Sequence, residues 1–268
     1  MGTQTRPRRL NGPGAPGRHG RGRLTFTVVL AVLLFAASFL THAGVPEIAV
    51  GPFFAPAGRG GGGLPPDWKP WILKNVKRHT AYRMAKDGSP AVEARADASA
   101  SGLMRSVSID PKEYPVIGWR WKVAAIIEGA DISRKENNDS PARLYVAFAY
   151  DIDKIPLSER LKYWVARRIY SQSLPLRAIA YTWANRHPRG SFVPMPYTSW
   201  FMQVALENSA SPVNEWITEE RDVYEDYRRA FGEEPQAITG VAVMTNTDNM
   251  GGKAEAWYGN IVFKQRPR

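Results

Sequence analysis

The chain has 268 residues and a formal net charge of +11, with 44% hydrophobic residues, nine Trp, eleven Tyr, ten Phe and no Cys. So aromatic a composition can bury a sizeable core and excludes a chain disordered throughout; the missing Cys excludes disulfides, thiolate metal sites and a lipidated N-terminal Cys. The charge does not indicate a nucleic-acid partner, because six Arg and no acid fall in residues 1–43 and the remainder is only moderately basic, without a run of Lys or Arg.

In chain order, a basic stretch is followed by the apolar run Leu24–Leu40 and then by small residues at Thr41 and Ala43, which is the order of an export signal. Residues 1–43 are therefore expected to be a signal peptide cleaved near Ala43. The alternative is an uncleaved N-terminal anchor, since 17 apolar residues lie at the lower edge of what spans a bilayer. Either way the protein is expected to be exported, periplasmic or extracellular, with membrane contact only through this segment if it is retained. The pair Arg8-Arg9 lies too far from the apolar run for a twin-arginine signal.

Residues 44–66 read as a short strand, "PEIAVGPFF", and a Gly/Pro-rich connection. Residues 67–268 read as one domain. Short runs rich in Val, Ile, Tyr, Trp and Phe, such as "PVIGWRWKVAAII", "ARLYVAFAYDI", "RAIAYTWAN" and "TGVAVMTN", are separated by Gly, Pro, Asn, Asp and Ser. Long helical crossovers are missing, so the expected fold is all-β, a jelly-roll-like antiparallel β-sandwich. Two segments have helical period instead. In "LSERLKYWVARRIYSQ", Leu157, Leu161, Trp164, Val165 and Ile169 share a face expected to pack on the sandwich, with contact of its basic face with a membrane as the alternative. In "TEERDVYEDYRRAFG", Thr218 is expected to cap and Gly232 to stop a helix.

Strand alternation sorts side chains onto two faces. Trp119, Trp121 and Val123 share one, leaving Arg120 and Lys122 opposite; Leu144, Val146 and Phe148 leave Arg143 and Tyr145; Trp200, Met202, Val204 and Leu206 leave Gln203 and Glu207. If these strands are neighbours, the six polar residues furnish one concave binding face; otherwise they are a solvated face of cross-strand ion pairs. Trp183, Trp257 and Tyr258 are candidates to stack on sugar rings, or else fill core. With only His79 and His187 beyond the leader, and no G-x-S-x-G, H-E-x-x-H or phosphate-loop motif, no catalytic residue can be assigned. In "TGVAVMTNTDNMGGKAEAWYGNIVF", Asn246, Asp248 and Asn249 offer oxygens of the kind Ca²⁺ takes, with Asp248 the weak metal candidate. The same residues equally suit a turn between two strands of a last hairpin, with Gly251-Gly252 supplying positive φ.

Several strings together, "ASASGLMRSVSID", "YPVIGWRWKV", "SPARLYVAF", "RDVYEDYRRAFG" and "GVAVMTNTDNMGGKAEAWYGNIVF", resemble the exported bacterial family known as domain of unknown function 3047, over about Ile48 to Phe263. The resemblance implies one β-rich exported domain and leaves activity open. In that family's pattern acids stand where this chain has Asn138, Asn246 and Asn260, whereas Asp139, Arg143, Asp222, Asp226 and Asp248 fit it. Asn for Asp keeps size but loses charge, which weakens a metal or acid/base role at those positions. The expected function is a non-catalytic module binding a glycan or another envelope component. A glycan-active hydrolase or lyase and a structural envelope protein with a protein partner are the alternatives.

Overall fold

A computed structural model of the protein describes residues 46–51, 63–169 and 175–266. The leader expected over residues 1–43 and most of the Gly/Pro connection lie outside the described residues. The strands are β1 (Glu47–Gly51), β2 (Lys69–Trp71), β3 (Ala81–Asp87), β4 (Ser89–Asp97), β5 (Ala100–Ile109), β6 (Val116–Val123), β7 (Ser140–Phe148), β8 (Arg177–Trp183), β9 (Phe192–Pro194), β10 (Phe201–Glu207), β11 (Ile217–Asp222), β12 (Ile238–Asn246) and β13 (Lys253–Lys264). Two helices accompany them, α1 (Leu157–Ile169) and α2 (Val223–Phe231). The fold is a β-sandwich. One sheet runs β11-β6-β13-β4-β3, with β1 also on β13; the other runs β2-β5-β12-β7-β8-β10-β9. Every pairing is antiparallel except β8 with β10, because the connection through β9 returns the chain to the end where β8 began.

The inward residues are the ones alternation predicts. Trp119, Trp121 and Val123 of β6 meet Leu144, Val146 and Phe148 of β7 and Ile179, Tyr181 and Trp183 of β8 in one core. Trp119 and Trp121 are edge-to-face at 5.4 Å, and Trp183 lies 5.8 Å from Trp121. Aromatic burial of this kind stabilises a domain that has no disulfides.

The seven-stranded sheet is buried on its outer face as well. There Tyr145, Ala178, Ala180, Phe201, Ala242 and Met244 form a second apolar cluster with Trp71, Trp200 and Tyr163 of α1. An antiparallel sheet usually leaves one face solvated, and burial on both faces explains why β7 and β8 read as nearly continuous apolar runs.

Three local expectations are corrected. In α1, Leu157, Leu161, Trp164 and Val165 point to solvent, and Tyr163 is the residue that packs on Trp200, at 5.3 Å; the Ile169 side chain lies outside the described residues. The second helix starts at Val223, not after Thr218. Residues 217–222 pair with β6 instead, which buries Glu219, and the Asp222 side chain caps the helix by accepting from the Glu225 N–H at 3.0 Å. Gly232 ends it at φ 69°, as expected. Finally, β12 and β13 are not a hairpin, because they lie in different sheets. The turn between them, with Gly251 at φ 77° and Gly252 at φ 91°, carries the chain from one layer to the other.

Candidate functional site

The six polar residues expected on one face are divided between the sheets. Arg120 and Lys122 lie on the outer face of the six-stranded sheet. Lys122 pairs with Asp87 and sits 4.3 Å over the Trp257 ring, while Arg120 stacks 4.0 Å over Trp216. Their neighbour Glu93, 2% exposed, is held between Arg83 and Arg95. This face is a lattice of cross-strand ion pairs and cation–π stacks. Tyr258 is buried, with its hydroxyl donating to Met244 O at 2.7 Å, and Trp183 is sealed between the sheets, where no ligand reaches it.

Arg143 and Tyr145 of β7 lie instead on the outer face of the seven-stranded sheet, and they line a cleft of about 520 Å³. Its floor is the second apolar cluster. Tyr145 is flanked by Trp71 at 5.3 Å and by Phe201 at 6.4 Å, both edge-on, so its ring is locked. Glu159, Lys162 and Ala166 of α1 form one wall, and the loop holding Tyr197, Thr198 and Ser199 forms part of the rim.

The other end of the cleft is polar. Arg143 is 3% exposed; Nη1 donates to Asn246 Oδ1 at 2.8 Å, and Nη2 donates to the carbonyl and side-chain oxygens of Asn138 at 3.0 and 2.9 Å. Its Nε has no partner among the described residues. Asn138 and Asn246 are thus the neutral acceptors of a buried guanidinium, which no carboxylate among the described residues bonds directly. Beneath them Asp139 is buried. Its Oδ1 accepts from Asn246 Nδ2 at 2.9 Å and from Asn249 N and Nδ2 at 3.2 and 3.0 Å, and its Oδ2 accepts from Met250 N at 2.9 Å. Burial raises its carboxyl above the ordinary aspartate range, partly offset by these donors.

The Asn/Asp stretch that offered oxygens for Ca²⁺ is therefore organised mainly by Asp139. Asp248 is exposed, accepts from Asn246 Nδ2 at 3.1 Å and lines the cleft with Asn249. The Tyr197 hydroxyl lies 2.7 Å from Lys135 O and 2.9 Å from Asn249 Oδ1, and burial pushes it up to about 12. Among the described residues no group of three His, Asp or Glu could hold a metal ion.

Gln203 and Glu207 do not reach the cleft. Gln203 is fully buried and donates from Nε2 to Ile132 O at 2.8 Å, beneath the loop that follows β6. Glu207 is joined through Arg189 to Glu219 of β11, and the Glu219 side chain has no solvent exposure. Burial and the neighbouring Glu207 carboxylate raise the Glu219 carboxyl to about 7, against the pull of Arg189.

The structure thus brings together Arg143, Tyr145, Asp248 and Asn249, with Asp139 supporting them, and separates off Arg120, Lys122, Trp183, Gln203 and Glu207. Trp71, Tyr197, Trp200 and Phe201 of the cleft were not legible as site residues. The signal for the last three is the aromatic pairing in "YTSWF" after a Pro-rich turn; Trp71, in "KPWILK", carries none.

A comparison with curated proteins gives no match. Among solved structures, the chain is similar to the family 11 carbohydrate-binding module of the cellulosomal cellulase Lic26A-Cel5E of Clostridium thermocellum, at 12% identity and a TM-score of 0.42, covering 83% of this chain and 96% of that one. The same module in complex with a β-1,3-1,4-mixed-linked tetrasaccharide aligns at 12% identity and a TM-score of 0.38, over 83% of this chain and 98% of that one. The family 30 module of cellulase Cel9D-Cel44B from the same organism aligns at 7% identity and a TM-score of 0.38, over 84% and 100% of the two chains. The family model described as "Protein of unknown function (DUF3047)" matches residues 66–262, most of the sandwich, and the chain belongs to that family.

Proposed function

We propose that the protein is an exported, non-catalytic binding module whose ligand is a carbohydrate held in the cleft on the outer face of the seven-stranded sheet. The observation that carries this reading is the cleft's division into two chemistries, an aromatic floor of Trp71, Tyr145 and Phe201 and a polar end of Arg143, Asn138, Asn246, Asp248 and Asn249. A sugar ring is divided in the same way. Its C–H face packs on aromatic carbon, and its hydroxyls both donate and accept, which suits planar amide, carboxylate and guanidinium groups. The volume lies within the range of small-ligand sites.

Holding is favoured over reacting because the polar side chains are engaged with one another. Asp139 is occupied by its four N–H contacts, and Glu159 of α1 pairs with Lys162 at 2.6 Å. Export rests on the leader-like order of residues 1–43. The test is a glycan array probed with the protein, followed by calorimetric titration of the hits. Saturable binding without release of reducing ends is expected; no binding to any glycan sinks the carbohydrate reading, and reducing-end release sinks the non-catalytic one.

A further inference from the structure

Helix α1 presents its most apolar face away from the protein. Leu157, Leu161, Trp164 and Val165 fall at i, i+4, i+7 and i+8, which is one stripe of an α-helix, and they are 80, 66, 55 and 49% exposed. Tyr163 and Ala166, on the opposite side, make the contact with the sheet. Four large apolar residues in one exposed stripe form a patch of the kind that marks an interaction surface.

Charge selects the partner. Between Asp151 and Arg168 the chain carries Lys154, Arg160, Lys162, Arg167 and Arg168 against Asp151, Asp153 and Glu159. Arg160 is paired with Asp153 and Lys162 with Glu159, each at 2.6 Å, so the excess positive charge sits toward the end of the helix, at Arg167 and Arg168. On the helical wheel Arg160 and Arg167 flank one edge of the stripe, Lys162 lies beyond the other, and Arg168 stands within its last turn. Arg167 also lies 5.6 Å over the Trp164 ring, so the aromatic and the cation sit at one level, as at a lipid headgroup boundary. A second copy of the chain would bring the same cations face to face. Among the described residues no helix is long and apolar enough to cross a membrane, so α1 can lie in an interface but not span it.

We infer that α1 docks the protein on an anionic bilayer surface, with Leu157, Leu161, Trp164 and Val165 entering the acyl boundary and Arg167 and Arg168 at the end of the helix meeting lipid phosphates. Since Glu159, Lys162 and Ala166 of the same helix wall the cleft, docking holds the cleft beside the membrane.

The absence of Cys allows single-site labelling of the full chain. An environment-sensitive fluorophore on Leu161→Cys should blue-shift with vesicles of phosphatidylglycerol and phosphatidylcholine, and not with phosphatidylcholine alone. The same label on Lys86→Cys, exposed near the end of β3 in the other sheet, should not respond. That contrast separates docking by α1 from attachment through residues 24–40. Trp164→Ser combined with Arg168→Glu should weaken vesicle partitioning by about tenfold or more. No shift at position 161 with anionic vesicles overturns the inference, as does an equal shift with neutral vesicles. A shift that depends on protein concentration without vesicles overturns it in favour of a second copy.

Discussion

Replacing Glu219 by Gln tests the buried acid pair. Glu219 is 1% exposed and shares Arg189 with Glu207, and its carboxyl titrates at about 7 where an unfolded chain has 4.5. The folded state therefore binds more protons than the unfolded state between those values, so stability is fully present below about pH 4.5 and is lost as pH rises through 7. A shift of this size corresponds to about 3 kcal/mol by pH 8.5. Gln at position 219 keeps a donor for Glu207 and an acceptor for Arg189 but carries no titrating proton. It forgoes an ion pair with a half-exposed Arg, worth less than about 1 kcal/mol. Glu219→Gln is thus expected to be about 2 kcal/mol more stable than the parent at pH 8.5, and to lose that advantage near pH 5. Urea unfolding followed by Trp fluorescence across this range reads both curves. A parent curve flat from pH 5 to 8.5, or a variant curve parallel to it, would refute the reasoning.

Tyr197 is 45% exposed on the cleft rim, so Tyr197→Ala should weaken binding of an array-identified oligosaccharide by about tenfold, at about the value of one aromatic contact, with the melting temperature nearly unchanged; equal affinity by calorimetry would remove Tyr197 from the site. Asp139→Ala leaves the N–H groups of Asn249 and Met250 without their acceptor and should cost about 2–4 kcal/mol, visible in urea unfolding and as faster amide exchange in residues 248–252; wild-type protection there would contradict the anchoring role. Because Asp139 is turned to N–H donors and Glu159 of the cleft wall is paired with Lys162, leaving Asp248 as the cleft carboxylate with no ion pair among the described residues, Ca²⁺ and EDTA are each expected to leave the melting temperature unchanged; a Ca²⁺-dependent rise would reinstate a cation at Asp248. Asp222→Ala removes the cap of α2 and should cost about 1 kcal/mol; an unchanged urea midpoint would show that the cap carries no weight.

Alternation alone placed Trp119, Trp121, Leu144 and Val146 inward and Arg120, Lys122, Arg143 and Tyr145 outward, because a period of two is set by the strand backbone itself. It could not say which strands are neighbours. That depends on long-range pairing, and β6 joined one sheet while β7 and β10 joined the other, so the single polar face became an ion-pair lattice on one side and a cleft on the other. The helical period of α1 was legible, but the direction of its apolar stripe was not. Periodicity reports that a helix has two unlike faces; only the fold shows which one the sheet takes, and here Tyr163 and Ala166 took it. The start of α2 was misread for a related reason. Glu219 and Glu220 suit a helix N-terminus locally, but pairing with β6 wins for residues 217–222.

The turn from β12 to β13 carries one further consequence. It is the only covalent link between those two strands and the place where Asp248 and Asn249 meet the cleft, so a ligand gripping it would strap one layer of the sandwich to the other. By mass action such a ligand raises the cost of separating the layers in proportion to the logarithm of its concentration above the dissociation constant. Occupancy would then be readable as resistance to proteolysis or to pulling along the chain, even where no spectroscopic change marks the cleft itself.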